Sequence, residues 1–301
     1  MNKKTSERTV FWLFLFPALF SFFLVVVIPF FMGFYYSMTD WTAIAGLETK
    51  WVGLDNYKNM FSDFAFQYSF ILTFVFTLIS VATINFVALL LAVLVTREIK
   101  GKNFFRAGFF IPNLIGGLVL GYIWQFIFKS IVPSMGAALG IEALEKLLIL
   151  ADPTLSLLGV VAAYTWQYAG YIMMIYIAAL VNVPRELIEA SNIDGANYWQ
   201  QFKAITMPLI AQAFTITSFL TLVSAFKQYD ILVALTSGGP STIFKGEIVN
   251  STELLAMHIY NVAFTYNNMA EGQARAIVFF LVLSVVSITQ VYFNMKKEVE
   301  M

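Results

Sequence analysis

The chain has 301 residues, of which 59% are hydrophobic and 12% are charged, about half the charged fraction of soluble domains, so most of its apolar surface is expected to face lipid. Its 18 Lys and Arg residues balance its 18 Asp and Glu residues, and this zero net charge argues against nucleic acid as a partner. The lack of cysteine excludes disulfides, thiolate zinc sites and a cysteine nucleophile, and the single histidine, His258, rules out a histidine-rich metal site and is expected to lie in a loop.

Six stretches are long and apolar enough to cross a bilayer, because a transmembrane helix needs about 20 predominantly apolar residues. None shows the period-two alternation of a membrane β-strand, so we predict an all-α membrane protein with six transmembrane helices in one domain, residues 1–301. The first stretch lacks a small-residue cleavage pattern, so it is expected to be a retained span and not a signal peptide. In chain order the predicted spans are 11–36, 66–95, 104–128, 155–181, 209–235 and 273–294.

The distribution of basic residues predicts the orientation of these spans. Eleven of the 18 Lys and Arg residues lie on one side, in the two tails and in the second and fourth connections. Since cytoplasmic connections are enriched in Lys and Arg, we predict that both termini and the connection 182–208 are cytoplasmic. The expected location is the cytoplasmic (inner) membrane.

The connection 182–208 is polar, yet its sequence predicts two short helices. Pro184 suits the first turn of a helix, and Asp194-Gly195 is a strong terminator about ten residues later. A second helix is predicted from Ala196, with one apolar stripe formed by Tyr198, Trp199, Phe202 and Ile205. Such a unit could lie on the lipid headgroups or dock on a protein. Its amide and carboxylate residues favour a protein partner, because surface-lying helices usually carry Lys and Arg.

The same connection resembles the signature loop of permease subunits in binding-protein-dependent ABC importers. The matching segments are Glu189-Ala190-Ser191, Asp194-Gly195-Ala196 and Ile205-Thr206-Met207-Pro208. Two positions depart from the family pattern: Ser191, where Ala is usual, and Met207, where Leu is usual. Further segments resemble the sugar-importer branch, namely 184–187 (PREL), 37–41 (SMTDW), 52–57 (VGLDNY) and 235–240 (LTSGGP). The similarity therefore extends over nearly the whole chain.

This resemblance implies the type I ABC importer permease fold and a set of partners. Such a permease pairs with a second, similar permease, two ABC ATPase subunits and an extracytoplasmic sugar-binding protein. It binds no cofactor itself, since Mg-ATP is bound and hydrolysed by the ATPases. The sequence agrees, because it contains no Gly-x-x-x-x-Gly-Lys-Ser/Thr phosphate loop.

The resemblance also assigns a role to the connection, as the coupling helix that docks in a cleft on the ATPase. We expect Glu189 to pair with a basic group there, and Gly195 to form the corner between the helices. Trp199 and Phe202 either anchor in the cleft or face the chain's own spans. The expected ATPase-coupling residues are Glu189, Ala190, Asp194, Gly195, Trp199, Phe202 and Pro208.

Polar residues inside spans tend to face a cavity or a neighbouring helix, and the predicted third to fifth spans carry several. Tyr164, Gln167, Tyr168 and Tyr171 share one helical face, which either lines a substrate pathway or packs against other helices. The expected pathway residues are Asn113, Tyr164, Gln167, Tyr168, Tyr171, Thr221, Ser224 and Gln228. A partner permease could instead supply the whole substrate site.

Other interpretations remain open at this point. The chain could be an ABC permease for another small polar solute, such as glycerol phosphate or an amino acid. A secondary transporter would usually have more spans and an intramembrane carboxylate, and no predicted span has Asp or Glu at its centre. An intramembrane enzyme would need metal ligands or a nucleophile–base pair inside the spans. The main expectation is a permease for a di- or oligosaccharide.

Overall fold

The structure, a computed structural model, describes residues 3–44, 48–97 and 100–299, with side chains described from residue 10 to residue 292 of these ranges. The first helices are α1 (Lys3–Phe22), α2 (Ile28–Tyr36), α3 (Asp55–Ser62), α4 (Phe64–Thr96), α5 (Lys102–Leu114), α6 (Gly117–Phe126), α7 (Val132–Leu139) and α8 (Glu142–Glu145). They are followed by α9 (Pro153–Val181), α10 (Arg185–Ile193), α11 (Tyr198–Gln201), α12 (Met207–Leu209), α13 (Ala211–Phe226), α14 (Asp230–Leu235), α15 (Leu255–Tyr260) and α16 (Met269–Val299). Four π-helical turns continue α1, α6, α11 and α15: Phe23–Val27, Ile127–Ile131, Phe202–Thr206 and Asn261–Thr265.

Among the described residues, between four and six helical segments have the length and composition of a membrane span. Four qualify alone: Val10–Tyr36, Phe64–Thr96, Gly117–Leu139 and Met269–Tyr292. Two pairs qualify only together and are each bent by 67°: Pro153–Val181 with Arg185–Ile193, and Tyr198–Leu209 with Ala211–Phe226. The basic residues of the tails that support the predicted orientation, Lys3, Lys4, Arg8, Lys296 and Lys297, lie outside the described side chains.

The predicted span 104–128 is not one helix. Helix α5 ends at Leu114, Ile115 is extended (φ −81°, ψ 127°), and α6 begins at Gly117, so the candidate span here is Gly117–Leu139. Pro112 in the last turn of α5 and the following glycines disfavour a continuous helix. The break leaves backbone groups without helical partners, and Gln167 of α9 donates to the Ile115 carbonyl at 3.0 Å. A buried amide therefore stabilises the break, as membrane helices require.

The predicted span 209–235 is also interrupted. Helix α13 ends at Phe226 and α14 begins at Asp230, with Lys227 at the end of α13 in a non-helical conformation. The Gln125 side chain of α6 donates to the carbonyls of Ala234 and Leu235, both at 3.1 Å. These carbonyls lie at the end of α14, where no intrahelical donor remains. The polar residues 227–230 therefore mark a helix break. Hydropathy averaged over the length of a whole span does not detect it.

Contacts divide the chain into two compact units. The first unit comprises residues 1–63 and 259–280. Within it, the buried Arg275 donates to Glu271 at 2.9 Å and to Asp63 at 2.8 Å. Most large apolar side chains of α1 and α2 are exposed, as expected for helices that face lipid or another protein.

The second unit comprises residues 64–258 and 281–301, and its core forms where α4, α9 and α13 pack together. Helix α9 begins sharply because Asp152 caps it, accepting from the backbone N–H groups of Thr154 and Leu155 at 2.9 and 2.8 Å. Small residues such as Ala88 and Gly170 allow close helix approach. This bundle carries both the 182–208 connection and the expected pathway residues.

Two features of the second unit differ from expectation. A hairpin of β1 (Ser241–Phe244) and β2 (Glu247–Asn250) was not predicted; its turn, Lys245-Gly246, has positive φ at both residues (51° and 91°), as a two-residue hairpin turn requires. The expectation that His258 lies in a loop is wrong. The residue belongs to α15 and is buried, with Nδ1 3.2 Å from a carboxylate oxygen of Glu253.

Candidate functional site

The first half of the 182–208 connection is a helix with a defined C-terminal stop. Helix α10 begins after Pro184 and carries Glu186 in its first turn, near the positive end of the helix dipole. At its end the N–H of Ala196 donates to the Ser191 carbonyl at 2.9 Å, and the N–H of Gly195 to the Asn192 carbonyl at 3.1 Å. These two bonds form a Schellman motif, which needs a left-handed residue. Gly195 provides it with φ 79°.

The second half begins with a capping box. The Asn197 side chain accepts from the Gln200 N–H at 3.0 Å, and the Gln200 side chain accepts from the Asn197 N–H at 2.7 Å. Helix α11 starts one residue later, at Tyr198, and continues through the π-helical turn into α12. Both helices are thus fixed at the corner by backbone and side-chain hydrogen bonds, so the connection has a defined shape.

The expected coupling residues are mainly exposed. Glu189, Ala190, Asp194, Gly195 and Pro208 are all accessible, and Trp199 is 73% exposed. Phe202 is half-buried, and its ring stacks on that of Tyr198 with 6.3 Å between centroids. The Arg97 guanidinium, just after α4, lies over the Tyr198 ring at 5.3 Å from its centroid. Tyr198 and Phe202 therefore contact the chain's own bundle, and Trp199 lies beside them at the edge of a groove on α4, with most of its side chain exposed.

The expected pathway face of α9 is partly buried in the core of this chain. Tyr164 is 0% exposed and packs against Tyr168, with ring centroids 4.6 Å apart. Gln167 is buried and bonds the Ile115 carbonyl, as described above. Tyr168 and Tyr171 are half-buried. The structure thus brings Tyr164 and Tyr168 together and leaves only part of this face accessible.

The remaining expected pathway residues lie on α5, on α13 and just after α13. Asn113 and Ser224 are half-buried, and Gln228 is buried in the break between α13 and α14. Thr221 is buried and accepts a hydrogen bond from the Asn85 amide at 3.2 Å. The accessible members of the set are therefore Asn113, Tyr168, Tyr171 and Ser224.

A buried polar network at the centre of the bundle was not predicted from the sequence. Tyr176 donates to the Asn85 side-chain carbonyl at 2.8 Å, and Thr217 donates to the Tyr176 hydroxyl at 2.8 Å. With Thr221, these residues join α4, α9 and α13. Buried polar groups in membrane proteins usually mark function or helix association. The available signal was Asn85, the one asparagine within the apolar stretch 66–95.

No group of three or more His, Asp or Glu side chains that could hold a metal ion occurs within the described ranges. The geometry instead presents two features: a rigid, exposed helical corner, and a bundle whose half-buried polar residues lie near broken helices.

Comparisons with known proteins identify the family of the chain. Residues 85–299 match the family described as binding-protein-dependent transport system inner membrane component. The chain is 44% identical over 291 residues, 97% of this chain and 96% of the relative, to the probable starch degradation products transport system permease protein AmyD of Thermoanaerobacterium thermosulfurigenes. It is 31% identical over 271 residues, 90% of each chain, to the multiple sugar-binding transport system permease protein MsmF of Streptococcus mutans.

A solved structure shares the fold. The match has a TM-score of 0.80 and 17% identity, and covers 98% of this chain and 97% of a chain in a bacterial alginate ABC transporter in complex with an alginate pentasaccharide-bound periplasmic protein. The all-helical type I ABC importer permease fold expected from the resemblance is therefore confirmed. The chain belongs to the family of inner-membrane components of binding-protein-dependent transport systems.

Proposed function

We propose that this chain is a permease subunit of an ABC importer that moves a di- or oligosaccharide across the cytoplasmic membrane. ATP hydrolysis on partner subunits would drive the transport, and this chain would not hydrolyse ATP itself. The observation that carries the proposal is the exposed corner of 182–208, held by a Schellman motif and a capping box. The substrate class rests on relatives named for starch degradation products and multiple sugars.

The corner suits mechanical coupling because its shape is fixed on both sides of Gly195. A loop without such bonds would absorb a partner's movement, whereas a rigid element passes it on to α9 and α13, which flank the connection. Glu189 lies exposed on α10, and we assign it a charge pair with a basic group of the ATPase. Trp199 is 73% exposed, which favours its role as an anchor in the ATPase cleft.

The complete transporter would contain a second permease, two ATPases and an external sugar-binding protein. We assign six spans to this chain, with α9 and α13 as the membrane-crossing parts of the two bent helix pairs and both termini in the cytoplasm. The half-buried Tyr168, Tyr171, Asn113 and Ser224 would contact the sugar. The buried Tyr164, Gln167, Thr221 and Gln228 would position the helices that carry them.

Purification of the complete complex tests the proposed function. We expect two ATPase subunits and a second permease to copurify with this chain, and vesicles containing the complex to take up an oligosaccharide only with its binding protein and ATP. The Glu189→Arg variant should lose most of the ATPase, because like charges would then face each other. A complex that transports without any ATPase touching 182–208 would contradict the proposal.

Cysteine labelling tests the orientation, since the chain has no cysteine of its own. A cysteine at Ala204, exposed beside α11, should react with a membrane-impermeant maleimide only in inside-out vesicles. A cysteine at Ile248, exposed on β2, should react only in right-side-out vesicles. Neither position carries a side-chain hydrogen bond that the substitution would remove from the described structure. Labelling of both from the same side would disprove six spans with both termini inside.

A further inference from the structure

A cavity of about 530 Å³ lies between the end of α4, the start of α5, the end of α9 and the 182–208 connection. Four basic residues line it: Arg97, Lys102, Arg106 and Arg185. Of the residues that the structure describes, no Asp or Glu lines the cavity. The site therefore concentrates positive charge in one concave place, which favours an anionic occupant.

The basic residues are not neutralised by a carboxylate of the described ranges, which do not include Glu98. Arg97 stacks on Tyr198, and Arg106 reaches only the Val95 carbonyl, at 3.5 Å. The Nε atom of Arg106 is buried and has no hydrogen-bond partner among the described residues. The guanidinium charge of Arg106 therefore has no carboxylate partner among the described residues, and an anion in the cavity that Arg106 lines would stabilise it.

An apolar groove of about 290 Å³ continues from this cavity along α4. The two share Val93, Arg97, Tyr198 and Phe202 in their walls. The groove then follows the outward face of α4, where Phe86, Leu90 and Leu94 are exposed. From residue 86 to residue 94 a helix rises roughly 12 Å, which is enough for a large part of one acyl chain.

We propose that the cavity and groove together bind an anionic phospholipid. Its phosphate would occupy the basic cavity, with one oxygen accepting from Arg106, and an acyl chain would lie in the groove on α4. Basic pockets between membrane helices on the cytoplasmic side bind such headgroups. Charge complementarity selects the anionic headgroup, and the adjoining groove selects a lipid over a free phosphate. The proposal rests on the orientation given under the proposed function.

Because α10 and α11 form one wall of the cavity, the lipid would brace the coupling corner against the end of α4. Two interactions would then hold the corner: the contact of Arg97 with the Tyr198 ring, and the lipid phosphate in the basic cavity. The lipid composition of the membrane would thus influence how well ATPase movement reaches the spans.

Native mass spectrometry of the purified whole complex, titrated with phosphatidylglycerol and with phosphatidylcholine, tests the proposal. The wild type should bind phosphatidylglycerol at least tenfold more tightly than phosphatidylcholine. The double variant Lys102→Gln/Arg106→Gln should lose about 30-fold in phosphatidylglycerol affinity, at about fivefold per basic residue removed. The matched double variant Lys100→Gln/Lys203→Gln removes the same charge from exposed residues outside the cavity, and should bind like the wild type.

The variant Leu90→Trp tests the groove without changing the charge of the cavity. The larger side chain fills the groove and should lower phosphatidylglycerol affinity several-fold. Excess inorganic phosphate should leave the bound lipid in place. Equal affinity for the two lipids, equal binding by both double variants, or displacement by inorganic phosphate would overturn a lipid site. If the double variant Lys102→Gln/Arg106→Gln does not assemble, the salt dependence of the wild type serves instead. Phosphatidylglycerol binding that is unchanged by added salt would then overturn the proposed lipid site. Binding is measured without transport, so a negative result leaves the proposed function standing.

Discussion

Replacing Gly195 with valine is expected to lower sugar uptake more than tenfold while the complex still assembles and hydrolyses ATP. The residue has φ 79°, a conformation that costs an L-amino acid about 1–2 kcal/mol and a β-branched one more. That cost corresponds to a decrease on the order of tenfold in the population of the left-handed conformation at residue 195. A Cβ atom at this position meets nothing within 4 Å, so the effect would come from backbone conformation and not from crowding.

The matched control is Gly195→Asn, because asparagine tolerates the left-handed conformation at a helix C-terminus. We expect it to retain most of the uptake, so that activity follows the order Gly, Asn, Val. The measurement is uptake per ATP hydrolysed in vesicles that contain equal amounts of complex. Equal coupling in the asparagine and valine variants would show that the conformation of the corner is irrelevant to transport.

The corner itself could be predicted from the sequence because its determinants are local. Asp194-Gly195 ends one helix, and the Schellman bonds connect residues only five positions apart or fewer. The capping box from Asn197 to Gln200 was not recognised, although its spacing is a local signal of the same kind. It explains why the second helix starts at Tyr198 and not at Ala196.

The helix breaks could not be predicted from hydropathy, because they depend on partners far along the chain. Gln167 donates to a carbonyl at the break after α5, 52 positions away in the chain. Gln125 donates to a carbonyl at the end of α14, 109 positions away. Membrane helices tolerate glycine and proline without breaking when neighbours satisfy the backbone. Pro112 and Gly116 alone are therefore compatible with a continuous span, and the contact from Gln167 is what distinguishes the break.

The pathway residues show the same limit. Helical spacing shows that one face of α9 carries Tyr164, Gln167, Tyr168 and Tyr171. It does not show which neighbouring helix covers that face. In the structure Tyr164 is enclosed between Phe76 and Tyr168, with ring centroids 5.5 and 4.6 Å away. The assignment of this face to the sugar pathway remains a prediction, now centred on Tyr168 and Tyr171.

The close approach of α5 and α9 at Gly170 is the point where a single methyl group should matter most for stability. A Cβ atom there would lie 1.7 Å from the Phe109 carbonyl oxygen and 2.4 Å from its carbon. Both are backbone atoms, so a rotamer change offers no relief and the two helices must separate. Three residues earlier on α9, Gln167 bonds the Ile115 carbonyl, and separation would also weaken that bond.

We therefore expect Gly170→Ala to destabilise the complex by about 3 kcal/mol, at the upper end of overpacking costs, and Gly170→Val to prevent assembly. Gly108→Ala is the matched control, since it lies in α5 beside Phe109 and its Cβ would meet nothing within 4 Å. Alanine favours a helix over glycine by about 1 kcal/mol, so this control should be neutral or slightly stabilising. The test is the melting temperature of the purified complex, followed by size-exclusion chromatography after heating. Because the contact lies within this one chain, a Gly170→Ala complex as stable as the Gly108→Ala complex would mean that α5 and α9 are not packed this closely.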